Sequence, residues 1–290
     1  MTSNLIKKKL NDLKKEYDVL KAGKENLVAL IDESELPESV YNSNAIENST
    51  LTLKETEALL REMKISRNVS SREIFEAKNL ARIMEYIRNK VKETDLNKEL
   101  ILLIYQMLIG NIRDDIAGRF RRTGEYVRVA THIAPAPEKV ESLIDEILVT
   151  YHSDYTTYFL DKIAKFHLAF ESIHPFNDGN GRMGRTIINF QLSRIGFPFI
   201  IIRNKGKEVY YQAFQEYENQ QSTKTMEKVI HLALLESFHK RVTYLKGDTI
   251  IPLSEYVKRQ SGSPSALFNA AKRQHIPAFR EKGIWKIGVD

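Results

Sequence analysis

The 290 residues carry a net charge of +6, with 42% hydrophobic and 28% charged side chains, ample for a buried core and a soluble surface. Cysteine is absent, which excludes disulfides, thiolate metal sites and a cysteine nucleophile and fits a cytoplasmic location. The longest apolar run, near Phe197 to Ile202, is far too short to cross a bilayer, and the charged N-terminus lacks the apolar stretch of a secretion signal, so no membrane partner is expected.

Most of the chain predicts helix. Over residues 5–21, Leu5, Ile6, Leu10, Leu13, Tyr17 and Leu20 form one apolar stripe that Gly23 can end. Thr52 and Glu55 have capping-box spacing ahead of a helix carrying Ala58, Leu59 and Met63. Residues 71–91, 98–109 and 138–149 continue the helical spacing. Between them, residues 118–134 (GRFRRTGEYVRVATHIA) alternate Tyr126, Arg128 and Ala130 with Val127, Val129 and Thr131, which predicts a β-hairpin turned at Gly124. Helices are expected again over 160–173, after the segment described next, and over 207–220 and 225–245; Gly247 and Pro252 mark a boundary.

Residues 174–185, HPFNDGNGRMGR, concentrate the chemistry. Pro175 disfavours helix at His174, so the preceding helix stops and leaves the imidazole in a loop. Gly179, Asn180 and Gly181 allow a tight turn whose amides, with the N-terminus of the next helix, form an anion cradle. Arg182 and Arg185 share a helical face and suit a di- or triphosphate. Asp178 is the natural Mg²⁺ ligand there, and His174 is the group that can accept a proton near neutral pH. The segment lacks the Walker pattern, and each feature alone is ordinary surface chemistry; their convergence in twelve residues points to a nucleotide-handling enzyme.

The segment also resembles the signature HPFx[DE]GNGRxxR of the Fic family at every fixed position, with the resemblance extending over roughly residues 40–245. It implies a mainly α fold: an N-terminal helical region (1–95), a Fic helical core with a β-hairpin flap (96–248), and a C-terminal module (249–290). It implies transfer of AMP from ATP to a Ser, Thr or Tyr hydroxyl of a protein, itself included. By resemblance His174 is the general base and Asp178 the Mg²⁺ ligand. Asn180, Gly181 and Arg182 hold the α- and β-phosphates, Arg185 reaches the γ-phosphate, and the protein substrate docks on the 118–134 flap. Tyr211, rather than Tyr210, is expected beside the adenine; the chain has Glu218 where a relative has Asn, which leaves base selectivity open. Ser43-Asn-Ala-Ile-Glu47-Asn48 matches the family's inhibitory [ST]xxxE[GN] motif, which implies that Glu47 pairs with Arg185 and blocks productive ATP binding. Ser43, one turn earlier, is expected to cap the helix that presents Glu47.

Residues 251–290 hold seven basic and three acidic residues, most of the chain's excess charge. A short helix at Leu253–Val257, a second opened by Ser263 and Pro264, and a hairpin around Gly283 resemble a winged helix-turn-helix of the excisionase type. Such a module either binds DNA, with Lys272 and Arg273 on phosphates, or serves packing and self-association as a homo-oligomer. Two other functions stay open: a DNA-binding regulator with a nucleotide-sensing domain, or a Fic enzyme of different group-transfer or AMP-removing chemistry. Histidines 132, 152, 167, 231, 239 and 275 show no metal-ligand spacing and read as structural.

Overall fold

Caps and apolar faces of the expected kind set out the helices of the computed structural model, which describes residues 1–65, 67–129, 131–259 and 263–289. They are α1 (Asn4–Lys21), α2 (Glu25–Ile46), α3 (Leu53–Glu62), α4 (Ser71–Lys90) and α5 (Lys98–Ile109), then α6 (Pro137–Ser153), α7 (Phe159–Ile173), α8 (Asn180–Arg194), α9 (Lys207–Gln220) and α10 (Lys224–Lys246). The Thr52–Glu55 capping box is present, each residue bonding the other's backbone amide. Met63 lies beyond the helix it was expected to join: α3 ends at Glu62, and Met63 turns left-handed. On α1 the stripe holds except at Leu5, which is 78% exposed because it sits about 100° around the helix from Ile6.

Helix α2 is the main element that periodicity did not reveal. It contains Pro37 and buries Glu38, Asn42 and Asn44, so it has no clean apolar stripe. Ser43 lies inside its last turn and therefore caps nothing; Glu47 is the C-cap residue, and Asn48 after it adopts positive φ (66°). A glycine or asparagine suits that last position because both tolerate the left-handed conformation.

Helices α7 and α8 form a partition between two cores. Phe166, Phe170, Ile173, Met183, Ile187 and Phe190 face a core built with α4, α5 and α6. Leu160, Ile163, Ala164, Leu168, Ile188 and Leu192 face a second core built with α1, α9 and α10. Being apolar on both sides, the pair is fixed in place, and the loop of residues 174–179 is held at one end of it.

The hairpin is shorter than expected. Strands β1 (Arg128–Val129) and β2 (His132–Ile133) pair antiparallel with Arg128 opposite Ile133 and Val129 opposite His132; Ala130 lies outside the described residues. Residues 118–127 run instead as loop, with Gly124 at φ 88°. The C-terminal segment has β3 (Thr249–Pro252), α11 (Leu253–Arg259), α12 (Pro264–Lys272), β4 (Ala278–Glu281) and β5 (Ile284–Val289), with sheet order β3-β5-β4, all antiparallel. Ser263 precedes α12 but makes no cap bond; its hydroxyl meets that of Ser265 at 2.9 Å.

This segment grips α2 through buried charge. Glu38 accepts hydrogen bonds from the backbone N–H groups of Lys282 and Gly283, both at 3.0 Å, and pairs with Arg203 at 2.5 Å. Arg203 reaches Glu236 of α10 at 2.8 Å, and Glu236 also accepts from the Arg280 backbone N–H at 3.1 Å.

Candidate active site

His174 ends α7 in the left-handed conformation (φ 50°, ψ 61°), turned there by the proline after it. The loop is braced from within and from outside. Asn180, 2% exposed, accepts from the Phe176 backbone N–H at 2.9 Å and donates to its carbonyl at 2.8 Å. Its side chain is thereby committed to the loop, and only its backbone amide remains for an anion. Phe176 is fully buried and stacks on Tyr105 with centroids 3.6 Å apart. Arg121, buried at the foot of the hairpin, donates to the carbonyls of His174 (2.8 Å), Glu125 (2.9 Å), Pro135 (2.9 Å) and Ile173 (3.3 Å).

Burial pushes the His174 imidazole down to about 4, against a weaker opposing effect of the Glu171 carbonyl. Its Nδ1 faces that carbonyl at 3.4 Å. A carbonyl only accepts, so Nδ1 carries the proton and Nε2 keeps a free lone pair.

Gly179, at φ 79°, opens α8, whose first intrahelical bond runs from Met183 N–H to the Gly179 carbonyl. The amides before it are left for an anion. Gly181 is bare because a Cβ there would lie 2.3 Å from Glu47 Oε1 and 3.0 Å from Arg185 Nη1. Arg185 donates from Nε to Ser43 Oγ at 3.0 Å, and from Nη2 to the Ser43 carbonyl and Glu47 Oε1, both at 2.8 Å. Burial disfavours its charge, but the Glu47 carboxylate outweighs burial and holds the guanidinium above its usual range.

The two arginines do not converge as their spacing implied. Arg182 turns to Glu76 on α4 (3.0 Å) and to Asp178 (3.3 Å). Asp178 also pairs with Arg72. Among the described residues no three His, Asp or Glu gather into a metal-holding cluster. Asp178 alone does not fit a resident metal. It does fit Mg²⁺ delivered with a nucleotide, which needs only one or two carboxylates besides phosphate oxygens.

A cavity of about 460 Å³ opens beside the N-terminus of α8. Glu47, His174, Gly181, Arg185 and Tyr211 line it, as do Val129, Thr131 and His132 from the hairpin. Phe214, Gln215 and Glu218 of α9 form its far end. Asp178, Gly179, Asn180, Arg182, Ser43 and Asn48 are not among the residues that line it; Asn48 accepts from Lys207 Nζ at 3.3 Å. Tyr211 donates to the Ile46 carbonyl at 3.0 Å, whereas Tyr210, also at the wall, is buried against His167 at 2.8 Å.

Sequence reasoning missed Arg121, Glu76, Arg72 and Glu171. Glu171 also lines the cavity, three residues before His174 on the same helical face, a spacing that could have drawn attention to it. Its Oε1 is buried without a hydrogen-bond partner among the described residues, and burial raises its carboxyl to about 8.

Residues 95–192 match the model of the Fic/DOC family. The protein adenylyltransferase Fic of Nematostella vectensis is 30% identical over 226 residues, 76% of this chain and 51% of that protein. The chain spans about half the length of the curated relatives it matches. A Fic domain containing signaling protein from Bacteroides thetaiotaomicron has the same fold, with a TM-score of 0.72 at 23% identity over 83% of this chain and 98% of that one. A Fic family protein from Desulfovibrio desulfuricans gives 0.67 at 21% identity over 97% and 86%, so the shared fold reaches into the C-terminal segment.

Proposed function

We propose, from the Fic/DOC domain that this chain carries, that it transfers AMP from ATP to a serine, threonine or tyrosine hydroxyl of a protein, itself included, and releases pyrophosphate. The observation that carries this reading is a neutral imidazole with a free Nε2 opening into the same cavity as Arg185 and the bare Gly181. His174 takes the acceptor's proton as its oxygen attacks the α-phosphorus; the new P–O bond forms while the bond to the β-phosphate oxygen breaks. The α8 amides and Arg185 hold the polyphosphate, and Asp178 would hold Mg²⁺, which neutralises charge on the phosphates. Glu218 accepts hydrogen bonds but cannot donate them, and it is the side chain to vary when base preference is measured.

Glu47 is a brake in this reading. It neutralises the guanidinium meant for the triphosphate and covers Gly181, so its carboxylate and a phosphate exclude each other. With tagged ATP, Glu47→Gly should label protein at least about tenfold more strongly than the wild type, and His174→Ala in that background should not label at all. Equal labelling by wild type and Glu47→Gly sinks the brake; no labelling and no ATP binding by Glu47→Gly sinks the enzyme.

We read residues 249–290 as a winged-helix module used for packing rather than for DNA. Of its seven basic side chains, Arg259, Arg280, Lys282 and Lys286 are in ion pairs, two of them with Glu236 and Glu57 of the helical body. Lys258, Lys272 and Arg273 are exposed, a thin footprint for a polyanion.

A further inference from the structure

The hairpin that borders the cavity is a weak element by itself. Among the described residues, two residue pairs and one further backbone bond, from Ala134 N–H to the Val127 carbonyl at 3.1 Å, hold its strands together, and a two-stranded ribbon is marginal in water. Arg121 secures its foot at the carbonyls of Glu125 and Pro135. Among the described residues, His132 ties strand β2 to the rest of the molecule. Its Nε2 lies 2.8 Å from the carbonyl oxygen of Ser172 on α7, and its Nδ1 lies 3.1 Å from Glu218 Oε1 on α9. Both partners only accept, so a ring that serves both must donate from both nitrogens, which is the imidazolium form. One side chain thus joins strand β2 to the two helices that wall the cavity. Ser172 is two residues from His174, so the join fixes the hairpin's distance from the base.

We propose that His132 is a positioning residue that, as imidazolium, clasps the hairpin shut against α7 and α9 and sets its outer edge for the acceptor polypeptide. This rests on the adenylyl-transfer reading for its role, though not for the clasp itself. The titratable groups that face His132 are Glu218 from α9 and, across the cavity, Glu171 and His174 from α7 with Glu47 and Arg185 deeper in. Burial keeps His174 neutral, and the nearby His132 ring acts more weakly in the same direction.

Amide hydrogen exchange at residues 128, 129 and 132–134 tests the clasp without reference to activity. In the wild type these amides should be protected about tenfold more than in His132→Ala at the same pH, after correction for intrinsic rates. Glu218→Ala, which removes one of the two acceptors, should lose part of that protection. Unchanged protection in His132→Ala overturns the proposal. The positioning role is read in the Glu47→Gly background. Adding His132→Ala should cut self-labelling about tenfold while ATP affinity, measured by titration, stays the same. Undiminished self-labelling, or an equal loss of ATP affinity, removes that role. If Glu47→Gly itself labels nothing, the adenylyl-transfer reading fails while the exchange data still decide the clasp.

Discussion

The carboxyl of Glu171 sits against Gly184 of α8, where a Cβ would come within 2.3 Å of its Oε1. Burial keeps it protonated to about pH 8, whereas in the unfolded chain it would ionise near 4.5. The native state therefore holds a proton that the unfolded chain has already released. Stability from this group is complete below about pH 4.5 and is lost as the pH climbs toward about 8. Glu171→Gln abolishes the titration and keeps the shape. Its Tm relative to the parent should rise steadily between about pH 5 and pH 8 and level off above, as thermal melts can record. A difference that stays flat across that range contradicts the buried acid. At this scale the sequence was readable where residues are adjacent: HPFNDGNGRMGR and Ser43 to Asn48 named the residues that bring His174, Arg185 and Glu47 together. Partners that arrive from elsewhere, such as Glu76 for Arg182 and Arg72 for Asp178, carry no local mark.

Among elements, the join between α7 and the hairpin depends on Arg121. Its guanidinium donates to four carbonyls, and burial lowers its pKa. Arg121→Ala leaves those oxygens bare at about 1–3 kcal/mol each where water cannot enter, so a total loss of about 3 kcal/mol or more is expected, seen as a lower urea midpoint at unchanged slope. Arg121→Lys should recover only part of it, because an ammonium cannot span the fork. A loss under about 1 kcal/mol means that the carbonyls find water. The helices flanking this join were legible from their period because each has one apolar face or two. Helix α2 was not, since Glu38, Asn42 and Asn44 occupy its buried side; Glu38 is met by Arg203 and the amides of Lys282 and Gly283, and Asn42 by the Asn204 amide as well as the Glu38 carbonyl. The hairpin was overextended for the opposite reason. Alternation from Tyr126 onward continues past the two short strands because a loop can carry that pattern without pairing.

For the molecule as a whole, Glu38 and Glu236 are two of the points where the C-terminal segment joins the helical body, with His239–Gln274 and Tyr244–Glu281 among the others. The Glu38 and Glu236 side chains are almost fully buried, and both are met by arginines and backbone amides. Glu38→Ala strands two amides and takes from Arg203 one of its two carboxylate partners, which should cost about 3–5 kcal/mol in chemical denaturation. Glu57→Ala, which removes the more exposed contacts with Lys282 and Arg61, should cost under about 1 kcal/mol. Comparable losses from both would mean that the segment is held by its apolar contacts instead.

The bond from Lys282 to Glu38 spans 244 residues of chain. A ribosome adding about 5–20 residues per second leaves Glu38 waiting for about 12–50 s before those amides exist. Until then the acid has Arg203 as a partner and no donor from the segment's turn, so a nascent or stalled chain presents α2 without its final clamp. The helix that ends at Glu47 is consequently secured by residues made long after it.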